Sequence, residues 1–152
     1  MAEPDLQLGT EFVERALHRG NYCIGAFKGN TLAAYAWRSF DIASHTLGVI
    51  VRVTPPVCYS YKAFTRERFR GKKIWPALSR TSDEICLKQG RDQMIGFIEV
   101  DNFASIKAAQ TLGAIDLGFA GFFRLFGRCL PFHDRRIKRT GFRFEYQPLH
   151  RE

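Results

Sequence analysis

No stretch of the 152-residue chain approaches the roughly 18 consecutive apolar residues of a membrane helix, which excludes a helical membrane span. Cysteine is sparse. Cys23, Cys58, Cys86 and Cys129 stand far apart and make no CxxC pair, which argues against a zinc site or a disulfide framework and for reduced, buried thiols. Acidic residues are in deficit, 15 against 23 lysines and arginines, so the net charge of +8 favours anionic partners. There is no internal repeat and no low-complexity tract. The opening residues Met1-Ala2-Glu3-Pro4-Asp5 lack the basic-then-apolar order of a signal peptide, and a cytoplasmic protein is expected. What is present, 45% hydrophobic and 25% charged residues, suits one globular domain over residues 1–152.

The basic residues are clustered. Arg66, Arg68, Arg70, Lys72, Lys73 and Arg80 face the single acid Glu67 between Thr65 and Arg80, and Arg135, Arg136, Lys138 and Arg139 form a second group that reads as a solvated surface. Thr10 to Arg19, with Phe12, Val13, Ala16 and Leu17, suits a short amphipathic helix. Asn21 to Phe27 and Thr31 to Phe40 read as strands joined by the turn Lys28-Gly29-Asn30. Asp41 to Thr46 reads as a polar connection, Leu47 to Val53 as a strand, and Pro55-Pro56 as a break. A strand over Val57 to Thr65, a helix over Trp75 to Lys88 closed by Gly90, and a mostly buried strand over Met94 to Val100 follow. Ile115 to Phe126 is aromatic and strand-like, and Thr140 to Tyr146 is a terminal strand with Phe142, Phe144 and Tyr146 on one face. The strand–helix–strand order through the middle implies a mixed α/β sheet with helices packed on it.

Two segments carry chemistry. Arg70-Gly71-Lys72-Lys73-Ile74-Trp75-Pro76 is a basic turn between a strand and a helix start, where free N–H groups and the positive end of the helix dipole bind phosphate. Asn102-Phe103-Ala104-Ser105-Ile106 opens a second helix, with Asn102 as cap, Ile106, Ala109 and Leu112 as its buried stripe, and Gly113 as its end.

The hairpin Tyr22 to Trp37, the strand–turn–helix Tyr59 to Gly90 and the run from Val100 to Leu112-Gly113-Ala114, in that order, resemble the GNAT superfamily of N-acetyltransferases over roughly Asn21 to Phe126. The resemblance implies an α/β (α+β) fold, a GNAT-like mixed, mainly antiparallel central sheet with a splayed pair of strands and helices on both faces. It implies acetyl-CoA, or another acyl-CoA, as donor. Main-chain amides of Arg70, Gly71, Lys72, Lys73, Ile74 and Trp75 would take the pyrophosphate. Arg68, Lys72 or Lys73 would lie near the nucleotide, and Ala63, Phe64 and Thr65 would pair with the peptide-like arm, with a main-chain group near Phe64 for the oxyanion. Asn102 and Ser105 would touch the arm from the other side. A small-molecule or peptide amine would attack the thioester directly, with Glu99 as base or relay and Tyr59 and Tyr61 beside it as further catalytic candidates; Asp101 is read as stabilising the helix start, and His45 and His133 as surface residues.

The chain departs from the family at three points. Lys73 and Trp75 stand where the turn usually carries small residues, Ala109 stands where many members carry the tyrosine that protonates the leaving thiolate, and about twenty residues precede the hairpin, so either a member shortened at the N-terminus or a homodimer that completes the acceptor site is expected. Phe119, Phe122, Phe123, Phe126 and Phe132 are read mainly as core, or else as lining for an apolar acyl or acceptor group. Two other classes stay open: a non-catalytic coenzyme A or acyl-carrier binding module, and a basic nucleic-acid-binding domain whose binding would be salt-dependent and indifferent to coenzyme A.

Overall fold

The computed structural model describes residues 6, 8–46 and 48–147. The N-terminal pentapeptide and Leu47, expected as the first residue of a strand, lie outside the described residues. The elements in order are α1 (Thr10–His18), β1 (Tyr22–Lys28), β2 (Thr31–Ser39), β3 (Ile42–Ser44), β4 (Val49–Val53), β5 (Val57–Thr65), α2 (Ile74–Lys88), β6 (Gln93–Gly96), α3 (Phe103–Thr111), β7 (Ala120–Leu125), β8 (Arg128–His133), α4 (Arg135–Lys138) and β9 (Phe142–Tyr146). They form a four-stranded sheet in the order β1-β2-β5-β6, a three-stranded sheet β3-β4-β9 and the hairpin β7-β8. Every pairing is antiparallel except β5 with β6, which is parallel. The result is the mixed, mainly antiparallel α+β arrangement that the resemblance implies. No helix of the described residues is long and apolar enough to cross a membrane.

Alternation along β2 puts a helix on each face of the first sheet. Tyr35 and Trp37 pack with Ala16 of α1, and Phe12, Val13, Tyr61 and Phe64 close that cluster. The opposite face carries Ala34, Ala36 and Arg38, all fully buried. There α2 brings Leu78, Ser82 and Cys86, spaced one turn apart, onto the sheet. The α2 helix ends as expected. Gly90 has φ of 71°, its amide bonds Leu87, and the Arg91 amide bonds Cys86, which is a Schellman cap.

A second core lies between the sheets, where Val49, Val51, Val53, Phe142 and Phe144 meet Val57, Tyr59, Cys129 and Ile137. Several expectations are corrected here. Ile42–Ser44 lies in the segment read as a polar connection, yet it is a strand, because pairing with β4 satisfies its backbone. β6 stops at Gly96, and Met94 is 37% exposed, because this strand is a sheet edge with a partner on one side only. Helix α3 buries no residue; its intended stripe is at most half-buried, and Leu112 is exposed.

Neither histidine is a surface residue. The ring of His45 meets Phe97, Phe122 and Phe144 at 5.2–5.8 Å. His133 Nε2 accepts the Phe144 amide at 2.7 Å, which ties β8 to β9 and puts the ring proton on Nδ1. Of the five phenylalanines read mainly as core, Phe122 alone packs against it, while Phe119, Phe123, Phe126 and Phe132 are exposed. The hairpin register explains this. Phe123 opposite Leu130 and Gly121 opposite Phe132 share the outer face, whereas Phe122 points inward.

Burial holds His133 below the usual histidine range, helped by the Lys138 charge, and burial holds His45 low against the Glu99 charge. As pH falls, the unfolded chain therefore binds these protons first. Stability is complete above the unfolded value near ~6.5 and is lost as pH falls through the folded values. Thermal melts should show a falling midpoint from neutral to mildly acidic pH. His133→Phe should cost about 1–3 kcal/mol by orphaning the Phe144 amide, and should flatten that slope. An unchanged slope would place the acid sensitivity elsewhere.

Candidate functional site

The turn between β5 and α2 is pinned before it opens. The Arg66 amide bonds the Ala33 carbonyl at 3.0 Å and its Nε bonds the Leu32 carbonyl at 2.7 Å, anchoring the end of β5 to β2. One 3-10 turn, Glu67–Phe69, follows. Phe69 is buried, with the Arg68 guanidinium 5.0 Å and the Lys72 ammonium 5.4 Å from its ring centre. Arg70 Nε donates to the Thr65 carbonyl at 3.2 Å.

Gly71, with φ of 72°, then turns the chain, and Lys73 is left-handed at φ of 56°. Lysine thus takes the conformation that a small residue usually supplies, at a cost of about 1 kcal/mol. Lys73 is also the N-cap of α2, and no side chain caps the helix. The first-turn amides of Ile74 and Trp75 accordingly point out of the helix towards the basic turn.

An open groove of about 400 Å³ beside this turn is lined by Lys28, Thr31, Arg68, Phe69 and Lys72, and a second of about 560 Å³ by Phe64, Arg66, Glu67, Arg68 and Arg70. Sequence reasoning assigned Lys28 to a hairpin turn and nothing more. Its place beside Lys72 follows from the β2–β5 pairing, which sets the first hairpin turn against the basic turn and which no local pattern reports. Phe69 did carry a signal, as a lone aromatic inside a basic run.

β5 also loses a partner. It pairs with β6 from Val57–Gln93 to Ser60–Gly96 only, and from Tyr61 on that edge has no strand partner among the described residues. On the other edge the register with β2 shifts between Tyr35 and Trp37, so Lys62 and Ala63 together oppose Ala36. This is a β-bulge, and Lys62 occupies the left-handed region at φ of 45°. The bulge bends β5 where it leaves β6. Ala63, Phe64 and Thr65 therefore line an open edge next to the basic turn, though the Thr65 carbonyl is already engaged by Arg70.

The three catalytic candidates fall at different depths. Tyr59 and Tyr61 share a face, as their alternation predicts, and their rings stack at 5.4 Å. Tyr59 is 3% exposed and packs on Phe142, and burial pushes its hydroxyl well above the usual range. Tyr61 is half-buried, accepts Asn21 Nδ2 at 2.8 Å, and is pushed up to about 12 chiefly by burial. Glu99 lies beyond β6 in the connection to α3, where its carbonyl accepts the Asn102 amide, and its side chain is exposed. Asn102 Oδ1 accepts the Ser105 amide at 3.2 Å, so this pair caps α3. Ala109 sits half-buried in the same helix. No group of three or more metal-ligating side chains occurs among the described residues.

No family model matches the sequence, and no curated protein is similar to it. Solved structures are similar in fold. One is AAC(6')-Iy in complex with the bisubstrate analogue CoA-S-monomethyl-acetylneamine, at 19% identity over 74% of each chain with a TM-score of 0.61. Another is the aminoglycoside 6'-N-acetyltransferase AAC(6')-Ih from Acinetobacter baumannii, at 16% identity over 82% of each chain with a TM-score of 0.61. A third, a transcriptional regulator from Bacillus halodurans, aligns at 15% identity over 78% of this chain and 77% of that one, with a TM-score of 0.58. The chain has the GNAT fold. At these identities the likeness is one of fold, and the site must carry the function.

Gly71 gives a clean test of the turn. Nothing lies within 4 Å of where its Cβ would sit, so Gly71→Ala adds backbone strain without a clash. Denaturant melts should show a loss of about 1 kcal/mol for the left-handed alanine. A neutral result would mean that the turn takes another conformation.

Proposed function

We propose that this protein is an acyl-CoA-dependent N-acyltransferase that acts on a small-molecule or peptide amine. One observation carries the proposal: the open edge of β5 runs directly into an uncapped helix N-terminus surrounded by cations. Coenzyme A has matching parts in that order, a peptide-like arm and then phosphates. The neighbour bound to a coenzyme A bisubstrate analogue supports the reading, and so does the acetyltransferase fold.

The residues present fit the donor. The amides around Gly71 to Trp75 would hold the pyrophosphate, with room that the open space at Gly71 provides. Lys28, Arg68 and Lys72 would balance the phosphate charge, and the β5 edge at Ala63 and Phe64 would pair with the arm. Asn102 and Ser105 would close the opposite side as the cap of α3. The donor supplies an activated acyl thioester.

The amine must reach it as a free base, so a proton has to leave an ammonium group first. Glu99 is the exposed carboxylate nearest in sequence to the mouth of the splay, and it is proposed to take that proton directly or through water. Tyr61, half-buried and hydrogen-bonded, orders that wall; Tyr59 supports it from within the core. With Ala109 in α3, the leaving thiolate departs without a tyrosine acid, which a thiol of ordinary acidity permits.

That alanine also favours a second reading, a coenzyme A binding module without turnover. Melting curves with acetyl-CoA, longer acyl-CoAs and free coenzyme A, beside thiol release with an amine panel, separate the two. Stabilisation with turnover is expected; stabilisation without it favours the module. Indifference to acetyl-CoA at large molar excess, with salt-dependent binding to DNA or RNA, would overturn both. In an active protein, Glu99→Gln should lower turnover by about 10²-fold and leave the acetyl-CoA melting shift intact.

A further inference from the structure

The α2 side of the first sheet holds a buried polar group that the proposed acyl-transfer site does not use. Arg38 is fully buried. Its Nη1 donates to the Trp37 carbonyl at 3.0 Å, while Nε and Nη2 find no hydrogen-bond partner among the described residues. Two cysteines from different elements meet there, Cys58 of β5 and Cys86 of α2, 0% and 3% exposed. Their sulfurs lie 2.8 Å apart, and the Tyr22 hydroxyl is 3.3 Å from the Cys86 sulfur.

A buried guanidinium without a counter-charge is expensive, so an anion belongs beside it. Cys86 is the group best placed to supply one. Its sulfur, which donates to Cys58 as a thiol, accepts from the Cys58 thiol and the Tyr22 hydroxyl once ionised, with the positive charge of Arg38 nearby and the negative charge of Asp83 as the opposing influence. The Cys58 hydrogen bond first, then Tyr22 and Arg38, hold Cys86 down to about 6 against its burial. The same hydrogen bond, with burial, pushes Cys58 up.

We propose that Cys58 and Cys86 form a dithiol that hydroperoxides oxidise to a disulfide, with Cys86 as nucleophile and Cys58 as resolving thiol. The Cys86 thiolate attacks one peroxide oxygen. An S–O bond forms as the O–O bond breaks, and the departing alkoxide or hydroxide takes a proton from water. Cys58 sulfur then attacks the sulfenic sulfur. The S–S bond forms, the S–O bond breaks, and the Cys58 proton leaves with the hydroxide as water. Two thiols lose two electrons and two hydrogens, and the hydroperoxide is reduced to an alcohol (or water) and water. Burial selects the oxidant: hydrogen peroxide is close to water in size and enters through small openings, whereas a bulky disulfide does not. The product joins the last turn of α2 to β5 and removes the anion that balances Arg38.

The test treats the folded protein with hydrogen peroxide at neutral pH, removes the peroxide, then unfolds the protein in the presence of the alkylating agent and maps the peptides. Cys23, exposed on β1, and Cys129, in the second core, serve as internal comparisons. The expected product is a single Cys58–Cys86 link, lighter by two hydrogens and reversed by dithiothreitol. Cys58→Ser should stop at a sulfenic acid on Cys86 that dimedone traps, and Cys86→Ser should leave Cys58 alkylatable. Tyr22→Phe keeps the ring and removes one donor; it should slow the linkage by about fivefold at pH 6. Full alkylation of Cys58 and Cys86 after peroxide has oxidised Cys23 would overturn the proposal. So would unchanged oxidation of Cys58 in the Cys86→Ser protein.

Discussion

A strand inside a sheet ordinarily keeps a partner on each edge along its whole length, and β5 does not. It holds β6 for four residues, bulges at Lys62 and Ala63 against Ala36, and then runs on with β2 alone. Unpaired backbone has to be satisfied by something. Here the open edge leads into a helix start that is also uncapped. The two deficits adjoin, an open main-chain edge and a free helix N-terminus beside a cluster of cations. The left-handed backbone at Lys62, Gly71 and Lys73 is the conformational cost of the geometry. The rest of the domain, with α1 and α2 clamped on opposite faces, keeps that geometry rigid.

Charge and packing divide the work around this break. The cations at the turn are held by neighbours rather than left loose: Arg66 by Leu32, Arg70 by Thr65, and Arg68 and Lys72 by the Phe69 ring. Preset cations lose little freedom when an anion arrives. On the α2 side of the sheet Arg38 is a cation of another kind, fully desolvated, with two of its nitrogens lacking a hydrogen-bond partner among the described residues. Basic side chains thus stand both along an open surface groove and inside the core.

Much of the fold was legible because its signals are local. Gly90 and Gly113 closed the helices that periodicity proposed, Asn102 capped α3, and the Lys28-Gly29-Asn30 turn set the first hairpin. The basic turn between β5 and α2 was legible for the same reason. The misreadings are tertiary. Ile42–Ser44 looks polar until β4 offers it a ladder, and His133 looks like a loop residue until the Phe144 amide reaches it. The phenylalanines of the β7–β8 hairpin look like core because hydrophobicity does not say on which face a strand has neighbours. Their turn also hid itself. Phe126 and Gly127 both have positive φ, as a two-residue hairpin turn requires, but the first position holds phenylalanine where asparagine or glycine is the usual sign.

The outer face of that hairpin bears on how the protein behaves in bulk. Phe123, Leu125, Leu130 and Phe132 stand in water together, with Phe126 96% exposed at the tip, on a molecule carrying eight net positive charges. Attraction between such faces is short-ranged, while the repulsion between like-charged molecules reaches about 10 Å at 0.1 M salt and about 30 Å at 0.01 M. Colloidal stability therefore rests on electrostatics more than on surface polarity. Added salt strips away the repulsion and leaves the apolar faces to meet, so this is a protein better kept in dilute buffer than in strong salt.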